Sequence, residues 1–125
     1  MQQDKADRRP ETPRDPLDLA AAGDELLEQA GQAGPGRSAR NLTPGEGSPL
    51  SQTLVALTGG SRLNDHVTNG PATLQVLRGS VTLTTADGDV GVEVGHWATV
   101  PREEHGLIAN DDSVVLLTVA PVQGH

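Results

Sequence analysis

Between residues 52 and 119, apolar side chains recur at every second position in short runs broken by Gly, Asn, Asp or Pro, the period of a strand with one buried face. Runs at 52–58, 72–77, 80–85, 90–94, 97–100 and 113–119 predict six strands, and so many short strands predict a sandwich or barrel. Leu74 with Val76, Val81 with Leu83, and Val90 with Val92 and Val94 form one-sided rows expected to line a common interior. Arg78-Gly79 predicts a tight join, Asp87-Gly88 a hairpin, and Gly95 a sharp turn. The last run differs, because Val114, Val115, Leu116 and Leu117 leave no polar face. Both of its sides are expected to be covered, by a helix, the other sheet or a second subunit.

Ahead of the strands the period lengthens. Asp15 can cap, Pro16 suits a first helical position, and Leu19, Leu26, Leu27 and Ala30 recur near helical spacing, which predicts one short helix over about 16–31. Gly23 weakens it by about 1 kcal/mol if interior. The run 31–36 (GQAGPG) ends it. The opening residues are charged, proline-bearing and nearly devoid of large apolar groups, so ordering them loses entropy with no burial in return. The expected organisation is a disordered tail at 1–15, a helix and linker at 16–35, and a β domain at 36–125.

Composition narrows the function classes. Cysteine is absent, which excludes disulfides and thiolate chemistry, so any metal must be held by N and O ligands. Phe and Tyr are absent too and Trp97 is the lone aromatic, leaving a core of Val, Leu, Ala and Ile; Trp97 itself reads as core filler or a dimer contact. Residues 41–125 carry nine acids against only Arg62, Arg78 and Arg102, and such a body repels a phosphate backbone. Nucleic acid is excluded as a partner. No apolar run approaches a membrane span and the amino terminus lacks the apolar centre of a secretory signal, so a cytoplasmic protein without membrane contact is expected. Gly59-Gly60 and the 88–95 glycines lack the context of a phosphate loop, and no serine stands in a nucleophile elbow.

Four histidines exist. His96, beside Gly95, and His125, the last residue, read as solvated. His66 and His105 each stand at a strand edge beside a turn-rich segment, and a meander of the strands between them can bring them together although 39 positions separate them. A joined pair has two readings: two N ligands of a divalent ion, or a hydrogen-bonded pair fixing the barrel mouth. Asp65 adjoins His66 but alternates to the other face of a regular strand, and Glu103 and Glu104 precede His105 in a loop. Arg78 reads as a solvated charge.

The two segments around these histidines, NDHVTNGPATLQVLRG at 64–79 and GHWATVPREEHGLIAN at 95–110, resemble the two blocks of the cupin superfamily. The first such block has two histidines separated by one residue, then a glutamate, then a closing glycine. Gly79 takes the glycine, Ala72 falls at the glutamate, and His66 and Thr68 fall at the histidines. In the second block Gly95, Pro101, His105 and Asn110 match in order, with a one-residue contraction before His105 and an extra residue before Asn110. ATLQVLRGSVTL and DDSVVLLTVA also resemble small bacterial single-domain cupins, which share a leading helix and a link like GRSAR at 36–40. The resemblance spans about 16–120.

It implies an all-β, RmlC-like jelly-roll barrel with one short N-terminal helix, a disordered tail and a cavity at one end. The implied metal ligands are reduced to His66 and His105, which with water could hold Zn, Ni, Cu, Fe or Mn. Thr68, Leu74, Gln75 and Val76 are expected to line a ligand pocket. The function expected first is binding of a small molecule in the barrel. A metal-dependent enzyme (dioxygenase or isomerase) and a metal-free sensor or binding module are the alternatives. A homodimer is expected under all three.

Overall fold

Helix and strands assemble as three layers, and the computed structural model describes residues 15–43, 48–66, 68 and 70–121, with backbone alone for 64–66. In chain order the elements are α1 (Leu19–Gln32), β1 (Arg37–Asn41), β2 (Ser51–Leu57), β3 (Arg62–His66), β4 (Ala72–Arg78), β5 (Ser80–Thr85), β6 (Gly88–Glu93), β7 (Trp97–Val100), β8 (His105–Ala109) and β9 (Ser113–Val119). The strands form a five-stranded sheet in the order β1-β2-β9-β4-β7 and a four-stranded sheet in the order β3-β8-β5-β6, with antiparallel pairing in both. The alternation predicts a sandwich or barrel, and the two sheets form the jelly-roll sandwich that the resemblance implies. The expected tail lies, apart from Asp15, outside the described residues.

Alternation decides which side chains meet. In β4, Ala72, Leu74 and Val76 are buried while Gln75 and Arg78 are exposed. Leu74 and Val76 join Val81 and Leu83 of β5, Val55 and Leu57 of β2, Val115 of β9, and Leu107 and Ala109 of β8 in the core between the sheets. A second cluster lies outside the five-stranded sheet, where Ala22, Leu26, Leu27 and Ala30 of α1 pack on Leu54, Ala56 and Val114. Strand β9 is thus covered on both faces, Val115 by the opposite sheet and Val114 by α1. The helix meets the need for which a second subunit was one candidate. Gly23 allows this approach, since a Cβ there would lie 2.9 Å from Val114 Cγ1.

Several expectations give way. The helix is capped by Asp18, whose carboxylate accepts the Ala21 N–H at 3.1 Å, because the apolar stripe begins at Leu19 and leaves Asp15 and Pro16 with nothing to order them. The GRSAR link is largely strand β1. Its residues carry no apolar alternation, and it is a strand because β2 pairs with all five of its positions. Strands β3 and β8 were likewise not legible, β3 being polar and β8 a short apolar run with a glycine. The row on β6 is only partly interior: Val92 is buried, but Val90 is 48% exposed and Val94 57%. Strand β6 is the edge of its sheet, and Val94 lies past its end. Trp97 is no core filler, being 62% exposed on edge strand β7. Arg78 is not simply solvated; its Nη1 is 2.7 Å from Asp24 Oδ1 and ties the barrel to α1.

Turn chemistry closes one end of the sandwich. Gly79 has φ +80°, and a Cβ there would collide with the Asp112 carbonyl and Ser113 Oγ. Ser113 is fully buried. Its hydroxyl lies 3.0 Å from Ser80 O and 2.7 Å from Asp111 O, and accepts the Ser80 N–H at 3.0 Å. Asn110 donates to Ser80 Oγ at 2.9 Å and accepts from Thr82 Oγ1 at 3.1 Å. The Ser113 hydroxyl thereby satisfies backbone groups where strands β5 and β9 begin, and the Asn110 amide ties the Ser80 and Thr82 hydroxyls beside it.

Candidate functional site at the mouth of the barrel

The opposite end is built by β3 and β8. Their ladder pairs Arg62 with Ile108 and Leu63 with Leu107, then shifts register and pairs His66 with His105. Directly opposed residues of an antiparallel pair are near neighbours on one face, so chain folding carries the two histidine positions together from remote parts of the sequence. His105 is buried, at 4% exposure. Its Nδ1 lies 2.9 Å from the carbonyl oxygen of Glu103. A carbonyl only accepts, so Nδ1 carries the hydrogen, and in the neutral ring the lone pair resides on Nε2.

His105 stands at a boundary. On its inner side it lines a narrow cavity with Leu63, Leu74, Leu83, Leu107 and Val115 among others, and every other lining residue is aliphatic. The enclosed space is about 20 Å³, little more than one water occupies. On its outer side His105 lines an open groove of about 320 Å³ with Thr84, Thr85, Ala86, Glu103 and Glu104. Both glutamates are exposed. An aliphatic interior and an acidic vestibule therefore share a single imidazole wall.

The other expected site residues divide. Leu74, at 1% exposure, lines the cavity, and Val76 is buried in the same core but does not reach that lining. Gln75 points the other way: it is exposed on the outer face of the five-stranded sheet, as the period of two requires. Thr68 is half-buried, and its hydroxyl donates to Gly70 O at 3.0 Å. Ala72 is buried and apolar at the opening of β4, so that position offers no ligand. The side chains of Asp65 and His66 lie outside the described residues, as does His125, while His96 is exposed. Among the described residues there is no group of three or more His, Asp or Glu placed to hold a metal ion. These residues do not fit a complete cupin metal set, and no chemical step is assigned to one.

Leu83, expected from its alternation with Val81 to face the interior, is part of the lining. Sequence reasoning did not single out Leu63, Leu107 and Val115, nor the Glu103 carbonyl as the imidazole's partner. The carbonyl held no signal, because a backbone group leaves no mark on residue type.

Comparison with solved structures gives this architecture its place. A conserved Streptococcus pyogenes protein of unknown function matches with a TM-score of 0.69 and 21% identity, over 90% of this chain and 91% of that one. An RmlC-like cupin from Desulfovibrio desulfuricans matches at 0.59 and 24%, over 68% and 82%. The chain has the cupin fold. A further likeness is to a salicylate 1,2-dioxygenase from Pseudaminobacter salicylatoxidans, with a TM-score of 0.68 and 18% identity, over 80% of this chain and 33% of that one. No protein-family model matches the sequence, and no curated protein does. No helix among the described residues is long and apolar enough to cross a membrane.

Proposed function

We propose that this cupin-fold protein binds a small molecule at the barrel mouth, with the polar part of the ligand in the acidic groove and its apolar part directed past His105 toward the interior. One observation carries the reading: His105 lines both the groove and the aliphatic cavity. The groove's charge comes from Glu103 and Glu104, so the ligand is neutral or cationic; an anion would meet two carboxylates on approach. The cavity as it stands takes about one water, so the apolar part is small and its entry displaces lining side chains such as Leu74. A screen of neutral, cationic and anionic fragments by thermal shift tests this. Stabilising hits should come from the first two sets and be lost in His105→Ala. Hits that survive that substitution, or that come mainly from the anions, would discard the proposal.

A second reading rests on the His66/His105 register pair. Two imidazoles and water would make a weak site for a divalent ion, and Nε2 is the nitrogen of His105 suited to it. Metal analysis of protein purified without an affinity tag decides it. Stoichiometric metal that disappears in both His66→Ala and His105→Ala would support a metal centre and reopen the enzymatic alternatives; metal-free protein would leave the binding module.

A further inference from the structure

The outer face of the five-stranded sheet carries chemistry that the barrel mouth does not use. Helix α1 covers the β1, β2 and β9 side of that face, and toward the edge strand β7 Gln75, Trp97 and Thr99 are exposed among the described residues. There stands Trp97, the lone aromatic of the chain, 62% exposed. Exposing an indole forfeits the largest burial any side chain offers.

Its neighbours are polar and ordered by the ladder. Gln75 is the cross-strand partner of Trp97, and Thr73 is paired with Thr99 on one side and Thr118 on the other. The three threonines line a shallow groove of about 400 Å³ together with Arg102. Trp97 and Thr99 share a face two residues apart, about 7 Å along the strand, and the threonines follow at about 4.8 Å intervals across it. Among the described residues, the hydroxyls of Thr73 and Thr99, the Gln75 amide and the Trp97 indole N–H have no hydrogen-bond partner.

We propose that this face is a binding platform for a neutral glycan. The C–H face of a pyranose ring is apolar and slightly positive and packs on the negative face of an indole. The Gln75 amide, directly across from the indole, meets the hydroxyls of that same ring, and the next sugar residue along the strand meets the threonine hydroxyls; amide and hydroxyl can both donate and accept as sugar hydroxyls do. Spaced hydrogen-bonding groups distinguish this face from a protein contact, where a continuous apolar centre is expected. The chain's net charge of −8 disfavours polyanions and does not oppose a neutral ligand. The platform lies on the other side of the sheet from the barrel interior, so it stands independently of the function proposed above.

Because Trp97 is the lone Trp and Tyr is absent, intrinsic emission reports this site and nothing else. The full chain is titrated with cellohexaose, maltohexaose and mannohexaose while emission is followed. At least one should give a saturable blue shift, and Gln75→Ala and Thr73→Ala should each weaken it about three- to tenfold, the loss of one hydrogen bond. Trp97→Ala, a surface substitution that leaves the core intact, should abolish binding by calorimetry. Emission unmoved by all three sugars, or a shift unchanged in both polar variants, overturns the proposal. So does a dimer in sedimentation equilibrium that Trp97→Ala dissociates, which would give the face to a second copy of the chain.

Discussion

His66 and His105 are register partners in the β3/β8 ladder, although 39 positions of sequence separate them. The intervening strands β4 to β7 divide between both sheets, with β4 and β7 in one and β5 and β6 in the other, so the chain crosses the sandwich and returns twice before β8 is laid beside β3. Any joint action of the two histidines depends on those returns.

The pairing makes metal affinity a cooperative property of two side chains. Zn²⁺ added to metal-free protein is expected to bind weakly, since two imidazoles are one ligand short of the usual catalytic set. Either His66→Ala or His105→Ala should remove binding altogether, measured by calorimetry. Retention of unchanged affinity in one variant would show that the pair does not act together.

Leu74 forms the cavity wall at 1% exposure. Leu74→Ala is expected to cost about 2–5 kcal/mol in denaturant unfolding, the range for a large aliphatic truncated in a packed core. The variant should also take up small apolar probes that the wild type excludes. A cost below about 1 kcal/mol would mean that the interior collapses to fill the space.

Two left-handed glycines should respond differently to the same change. Gly79→Ala forces a Cβ onto the Asp112 carbonyl and Ser113 backbone, so it should cost well above the about 1 kcal/mol of an unfavourable φ alone. Gly60 has φ +89°, but a Cβ there would meet nothing within 4 Å. Gly60→Ala should therefore cost about 1–2 kcal/mol. Equal costs in thermal unfolding would refute the close approach at Gly79.

Removing the hydroxyl in Ser113→Ala leaves the buried Ser80 N–H without its acceptor and is expected to cost about 1–3 kcal/mol. The Arg78–Asp24 pair is about half exposed, at 52% and 65%, and Arg78→Ala should cost under about 1 kcal/mol and less still in high salt. If the surface pair proved the costlier of the two, the assignment of the polar cluster as the tie between β5 and β9 would fail.

Strands with an alternating apolar face, such as β4 and β5, were legible because burial on one side writes its period into the sequence. So was the double cover of β9, since four consecutive aliphatics admit no wet face. The pattern also predicted the sandwich class, the acidic body and the two histidines worth following. Strands β1 and β3 carry no such period and owe their form to the strands beside them, which only the assembled sheets supply. Tertiary structure likewise decided that Leu74 faces the cavity while Gln75 faces outward, that Trp97 stands in solvent, and that the Glu103 carbonyl fixes the His105 tautomer. The physical reason is common to all of these. Residue type records how much water a position tolerates, whereas the identity of a neighbour comes from long-range pairing, and a backbone partner is the same chemical group at every position.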